Sequence, residues 1–461
     1  MARDKTSSLP VRNPYSTEVE FEVPIDSPAD VERKLERARM AHVRWRETPL
    51  EQRMREVSKA LLWFGSKSND VARDITLQMG KPIVQARKEV ETMLARAEHQ
   101  LAVAKYALAP EVIVAPKGFT LRVEHHPLGV VLDIAAWNYP LLVPINAVMP
   151  AVLAGNAVLL KHSPLTPKCG QHFEQAFEAL SVPGVVQNVV VENERAEELI
   201  GDPRIDHLCF TGSVATGRKV YAAAARRMID AGLELGGKDP AYVAEDADLE
   251  FTAETVVDGA CYNAGQSCCA VERVYVHKKV YDEFLEKALA VMKGYRLGDP
   301  TDERTTMGPL ARRENVEVLE KQVADAVMRG ARVLTGRRKQ GRKGWFFEPT
   351  LLADVPSDAR VMQDESFGPV LPVAPVEDDD EAIGRMNDSR YGLTASVWTK
   401  SGERAERFAH ELEAGTVYQN RCDYLDPGLP WTGWKESGIG SMLSRYGFRS
   451  LTKRKSVHLR A

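Results

Sequence analysis

From residue 129 onward the chain alternates short, wholly apolar runs with stretches of helical periodicity, and this alternation restricts the fold more than any other feature. Residues 129–136, 157–161, 185–191 and 205–210 are apolar runs of strand length separated by helical spacing. Strands that read as continuous apolar runs are covered on both faces, which describes a parallel sheet layered with helices. A doubly wound parallel sheet is therefore expected. Its ligands bind outside the carboxyl ends of the strands, so the informative residues stand just after each run. Past residue 270 the texture repeats, with strands expected at 271–277 and 393–398 and helices near 280–296 and 311–330.

The flanking regions differ. Residues 28–108 are mainly helical, with apolar and charged residues recurring at helical period through 29–45, 50–64 and 83–108; Gly80-Lys81-Pro82 breaks the last two apart. Residues 111–126 read as a strand pair around Pro116-Lys117-Gly118, and 451–460 alternate as a last strand. The basic loop Arg337–Lys343 and the acidic run Glu377–Glu381 read as solvated surface. At 461 residues the chain exceeds one ordinary core, so two or more domains are expected.

A net charge of −4 gives no footprint for nucleic acid or for an anionic membrane. The most apolar region, 128–160, is interrupted by Asp133, three prolines and three asparagines and cannot span a bilayer. The first residues lack the apolar core of a signal peptide, and six cysteines without paired spacing fit a reducing compartment. A cytoplasmic protein without a metal site is expected.

The chemistry concentrates between Leu233 and Arg273. Glu234 ends an apolar run and is followed by Gly236 and Gly237, which allow another group to approach the backbone. Cys268 stands just after Gly265-Gln266, in a segment too irregular for a core helix. Taken alone, a cysteine is usually a core filler and a glutamate a surface carboxylate. A thiol is mostly protonated near neutrality and needs a base or an electropositive pocket to act as a nucleophile.

Together the two segments resemble the active-site signatures of the aldehyde dehydrogenase superfamily: Glu-Leu-Gly-Gly-Lys at 234–238, and Gly-Gln-x-Cys at 265–268 with Arg273 five residues after the cysteine. The resemblance extends from Asn13-Pro14-Tyr15 to the last strand. Trp137-Asn138-Tyr139-Pro140 resembles the family's Trp-Asn-Phe-Pro, which implies that Asn138 and the Cys268 N–H hold an oxyanion; read alone, the segment is a turn. Val158–Pro164 resembles the segment carrying the family's cofactor lysine, here Lys161. Members that prefer NAD often carry a glutamate where this chain has Pro164, so NADP stays open beside NAD.

Phe210-Thr211-Gly212-Ser213 with Gly217 resembles the family's diphosphate site at a helix start; alone it reads as an N-cap and a packing glycine. Glu365-Ser366-Phe367-Gly368-Pro369 resembles Glu-x-Phe-Gly-Pro, which implies Glu365 on the nicotinamide ribose and Phe367 beside the ring. The resemblance also implies Trp137, Ser163, Leu235 and Gly236 against the dinucleotide. Asn420–Gly440 departs from the family's Pro-Phe-Gly-Gly ending, with Trp431 for the Phe and Thr432 for the first Gly. Candidates for the aldehyde pocket are Tyr139, Asn146, Cys269, Tyr424, Leu425 and Trp431.

The resemblance implies three parts: a dinucleotide-binding domain at 1–104 and 128–236, a catalytic α/β domain at 237–436, and a small β oligomerisation element at 105–127 and 437–461 that builds a homodimer or homotetramer. It further implies oxidation of an aldehyde to a carboxylic acid, with Cys268 forming a thiohemiacetal and then a thioester that water activated by Glu234 hydrolyses. An aromatic-rich wall favours a medium-chain aliphatic or aromatic aldehyde, whereas Arg421 offers a semialdehyde's carboxylate a partner. Two other classes stand beside it: a non-catalytic binding protein on this fold, and a cofactor-independent thiol hydrolase needing a histidine among His125, His126, His162 and His207.

Overall fold

The computed structural model describes residues 7–337 and 343–460. Two sheets carry the molecule. The first runs in the order Gly438–Ile439, Ala231–Glu234, His207–Thr211, Val130–Ile134, Ala157–Lys161, Val186–Asn188. All neighbours are parallel except the short edge strand Gly438–Ile439, which runs antiparallel to Ala231–Glu234. Val130–Ile134 and Ala157–Lys161 are buried along their whole length, as double coverage by helices requires. Chain order reverses between Val130–Ile134 and His207–Thr211, and a crevice opens beyond the carboxyl ends there.

The expected run 185–191 shrinks to Val186–Asn188. Beyond it the backbone is taken by Asp26, whose N–H donates to the Val190 carbonyl (2.9 Å) and whose carboxylate accepts from the Val190 N–H (2.8 Å). The other three runs are strands within two residues of the expected bounds.

The second sheet runs Arg332–Thr335, Thr350–Ala353, Val370–Val376, Val271–His277, Asp239–Val243, Thr394–Trp398, Thr416–Gln419. Only its first pair is antiparallel. Asp239–Val243 was not expected, because Asp239-Pro240 disguises a strand whose aspartate is buried and accepts hydrogen bonds from the Thr394 N–H and hydroxyl.

Helices cover the N-terminal region. Pro28–Trp45 begins with a capping box in which Ser27 and Asp30 bond each other's backbone N–H, and Pro28 opens the first turn. Leu50–Ser66 and Ile83–Leu108 match expectation. A further helix, Ser68–Met79, lies between them, its fully buried Val71, Ile75 and Met79 one turn apart, ending at Gly80 in the left-handed region (φ 81°). An N-terminal hairpin, Ser8–Arg12 with Val19–Pro24, was also unforeseen.

The hairpin Glu111–Ile113 and Phe119–Pro127 forms as expected, and Thr452–Arg460 pairs antiparallel along the whole of Phe119–Pro127. The acidic run is more than solvated surface: Asp378 caps the helix Asp379–Asn387, and Asp379 accepts from the Tyr242 hydroxyl (2.8 Å) and from Arg404 (2.8 Å). Of the basic loop, 338–342 lie outside the described residues. Among the described residues no helix is long and apolar enough to cross a membrane.

Candidate active site

Between the two sheets lies a cleft of about 560 Å³ that is lined by Cys268, Glu234 and Asn138. The chain reaches Cys268 by an abrupt route. The helix Leu249–Cys261 gives way to a 3₁₀ turn, Tyr262–Gly265, in which Asn263 (φ 53°), Ala264 (φ 56°) and Gly265 (φ 72°) are all left-handed. Such backbone persists only where its surroundings over-determine it. Here two glycines do so. A Cβ on Gly265 would lie 2.3 Å from the Gly368 carbonyl carbon, and one on Gly237 would lie 2.4 Å from the Cys268 carbonyl oxygen. The cysteine loop is thus pressed between the Glu-Leu-Gly-Gly and Phe-Gly-Pro segments, which explains why three distant motifs occur together.

Buried polar groups fix that contact. The Lys238 ammonium pairs with Glu272 (2.6 Å), whose carboxylate also accepts the backbone N–H groups of Ser366 and Phe367, each at 2.8 Å. Arg273 is 1% exposed and donates to the Lys238 carbonyl (2.9 Å) and the Met386 carbonyl (2.9 Å). It is a brace between segments and not a wall of the cleft.

Asn138 follows the central strand of the first sheet. Its Nδ2 donates to the Gln266 carbonyl (3.2 Å), two residues before Cys268, and its own carbonyl accepts from Lys81 (2.9 Å) and Asn263 (3.0 Å). The amide is therefore held beside the thiol. Cys268 is half-buried. Glu234 ends the strand Ala231–Glu234 and is buried, with Trp431 beside it in the lining, and its Oε2 has no partner among the described residues. Burial, opposed by the Trp431 indole N–H, pushes its ionisation well above the ordinary carboxylate range. A carboxylate so held is a base in reserve.

At one end of the cleft the walls suit a dinucleotide. Gly212 and Ser213 line the cleft at the start of the helix Val214–Arg226, with the Ser213 hydroxyl accepting from the Thr216 N–H, and a helix start offers N–H groups to a diphosphate. Leu235, Gly236, Glu365, Trp137 and Phe367 line the same end, the two aromatic rings edge to face at 5.6 Å. The Gly237 N–H donates to Glu365 (3.2 Å), whose carboxyl burial pushes up to about 8.

Three predicted cofactor residues stand off the lining. Lys161 ends its strand buried, donates to the Asn193 side chain (2.8 Å) and is lowered by burial to about 8. Ser163 is buried and its hydroxyl accepts from the Leu165 N–H. Gly217 packs the helix onto Leu235, whose side chain a Cβ there would meet at 2.5 Å.

All six pocket candidates, Tyr139, Asn146, Cys269, Tyr424, Leu425 and Trp431, line the other end. Cys269 is buried and donates to Asp423 (3.1 Å), as does the Ser267 hydroxyl (2.7 Å). The hydrogen bond to Cys268 and then burial raise the Cys269 thiol well above its usual range. Arg421 corrects the expectation placed on it: it is exposed and stacked over the Tyr424 ring (3.4 Å), outside the lining.

Asp423 and Arg96 line this end and were not foreseen, nor was the buried pair Lys81–Glu89, whose glutamate also lines the cleft. A signal existed: Glu89, Met93, Arg96 and Gln100 share one helix face with buried neighbours, so polar residues occupy core positions. Among the described residues no histidine lines the cleft, which removes the partner that a thiol hydrolase needs.

A sequence model of the aldehyde dehydrogenase family matches residues 1–457. A succinate-semialdehyde dehydrogenase (NADP(+)) from Deinococcus radiodurans is 35% identical over 446 residues, 96% of this chain and 93% of that one. An aldehyde dehydrogenase from Paenarthrobacter nicotinovorans is 37% identical over 435 residues, covering 94% and 95%. Among solved structures, succinic semialdehyde dehydrogenase from Streptococcus pyogenes in complex with NADP+ superposes with a TM-score of 0.95 at 29% identity, over 98% of this chain and 100% of the other. With its motifs gathered in one cleft and its likeness running the length of the chain, this protein belongs to the aldehyde dehydrogenase family.

Proposed function

We propose that the cleft oxidises an aldehyde to a carboxylic acid, and that the observation carrying this is the meeting of Cys268, Asn138 and a Glu234 with one unpartnered carboxylate oxygen. The Cys268 thiolate attacks the aldehyde carbon, and the alkoxide of the resulting thiohemiacetal is held by the Asn138 amide and the Cys268 N–H. NAD or NADP, when bound, supplies the acceptor for the hydride that this carbon gives up. Loss of that hydride leaves a thioester on Cys268. Glu234 removes a proton from water, which attacks the thioester carbonyl; the acid leaves and the thiolate is restored.

The dinucleotide is assigned to Trp137, Lys161, Ser163, Gly212, Ser213, Gly217, Leu235, Gly236, Glu365 and Phe367, and Pro164 supports the phosphorylated form as well as NAD. In the same reading the chain divides at about 1–104 with 128–236, 237–436, and 105–127 with 437–461, the last part joining subunits. The aromatic wall supports a medium-chain aliphatic or aromatic aldehyde. The names of several relatives support a carboxylate-bearing one instead.

Absorbance at 340 nm with NAD and NADP in parallel tests the reaction, with Cys268→Ala as the inert control. Glu234→Gln is expected to give one rapid turnover and then release acid on the order of 100-fold or more slowly. Acid release at the parent rate would remove Glu234 from the mechanism.

A further inference from the structure

Among the described residues two arginines line the cleft without an ion pair, Arg96 and Arg312; Arg312 is exposed and lies over the Trp137 ring (5.9 Å), beside the residues assigned to the dinucleotide, whereas Arg96 is buried. Arg96 lies on the helix Ile83–Leu108, is 5% exposed and lines the aldehyde end. A guanidinium offers a planar fork of donors that matches a carboxylate two bonds at a time. Both protein acceptors bonded to Arg96 are neutral: Asn146 Oδ1 at 3.1 Å and the Leu142 carbonyl at 3.5 Å. No carboxylate among the described residues forms an ion pair with it.

The carboxyls around it are otherwise engaged. Glu89 is paired with Lys81 and accepts the Leu141 N–H (2.9 Å). Asp423 accepts from Ser267 and Cys269, and burial raises its carboxyl as it raises that of Asp258, the other aspartate in the lining. At the mouth, Lys88 is exposed and paired with Glu91. Burial lowers Arg96 only to about 10, with Glu89 opposing, so it stays charged at neutral pH, and it lines the same cleft as Cys268. Glu89 offsets only part of the cost of burying this cation, since its own bonds go to Lys81 and the Leu141 N–H, and a ligand anion that accepts from the fork relieves the rest.

We propose that Arg96 receives the carboxylate of an ω-carboxylated aldehyde, with the Asn146 side chain as the positioning residue that holds the fork toward the cleft. The inference rests on the reading of Cys268 as the nucleophile, and it moves the anchoring role from Arg421 to a residue on another helix.

The test compares kcat/KM for an ω-carboxylated aldehyde and for the uncharged aldehyde of equal carbon number. The parent protein is expected to prefer the carboxylated substrate. Arg96→Met lowers that preference on the order of 10- to 100-fold, mainly through KM, and Arg96→Lys falls between because it keeps the charge without the fork. Asn146→Asp, which gives the fork a carboxylate of its own, lowers the preference too and serves if Arg96→Met does not fold.

Succinate slows alkylation of Cys268 in the parent protein and not in Arg96→Met, a readout that needs no turnover. A preference unchanged in folded Arg96→Met, or an equal loss for both substrates, overturns the proposal. If the parent oxidises no aldehyde at all, the reading of Cys268 fails, and the alkylation assay then judges Arg96 alone.

Discussion

Trp431 lines the cleft with Glu234 and stands where the resemblance led one to expect phenylalanine. Its indole N–H favours the ionised carboxylate against the larger, opposing effect of burial. The sign of a substitution follows. Trp431→Phe keeps a ring in the wall but removes the donor, so the ionisation of Glu234 moves further up. Because the base must be deprotonated to activate water, the rising limb of the pH profile of thioester hydrolysis is expected to shift to higher pH by up to about one unit. A limb that stays in place, or moves down, would mean that the indole does not govern the base. Glu234 and Cys268 were legible in the sequence because their motifs are local. Arg96 and Asp423 were not: whether a charged side chain faces water or a cleft depends on which helix or loop is laid against it.

Among the elements, the strand Val130–Ile134 carries a cost of its own. Asp133 is 1% exposed, its Oδ2 has no partner among the described residues, and burial raises its carboxyl well above the usual range. The folded state therefore keeps a proton that the unfolded chain releases near pH 4, and stability falls as pH rises from there toward the folded value. Asp133→Asn keeps the shape without the titration. Its stability advantage over the parent, followed by thermal unfolding, is expected to grow with pH in that window by up to about 1.4 kcal/mol per unit. An advantage independent of pH would show that Asp133 is not the titrating group. This strand was legible despite its aspartate because four apolar residues surround it. Asp239–Val243 was hidden by Asp239-Pro240, and Ser68–Met79 by its polar start; both are settled by packing against distant segments, which local spacing does not report.

At the scale of the whole molecule, the sheet of Phe119–Pro127, Thr452–Arg460 and Glu111–Ile113 stands apart from the two large ones, with Thr452–Arg460 as a long edge whose side chains are mostly exposed. A long unprotected edge invites pairing with another chain. We propose that copies of the chain join along this edge: deletion of residues 452–461 is then expected to reduce the particle mass seen by light scattering to that of one chain, and an unchanged mass would mean that the edge joins no copies. The pinched loop around Cys268 has a different consequence, for those who would redesign the protein. Gly237 and Gly265 leave that loop no slack, so the floor of the site tolerates few changes, while Arg96 and Asn146, on two helices, and Tyr424 and Leu425, on one loop, lie outside it and can be varied as two coupled pairs. A library aimed at new aldehydes is best spread across that wall and kept away from residues 262–273.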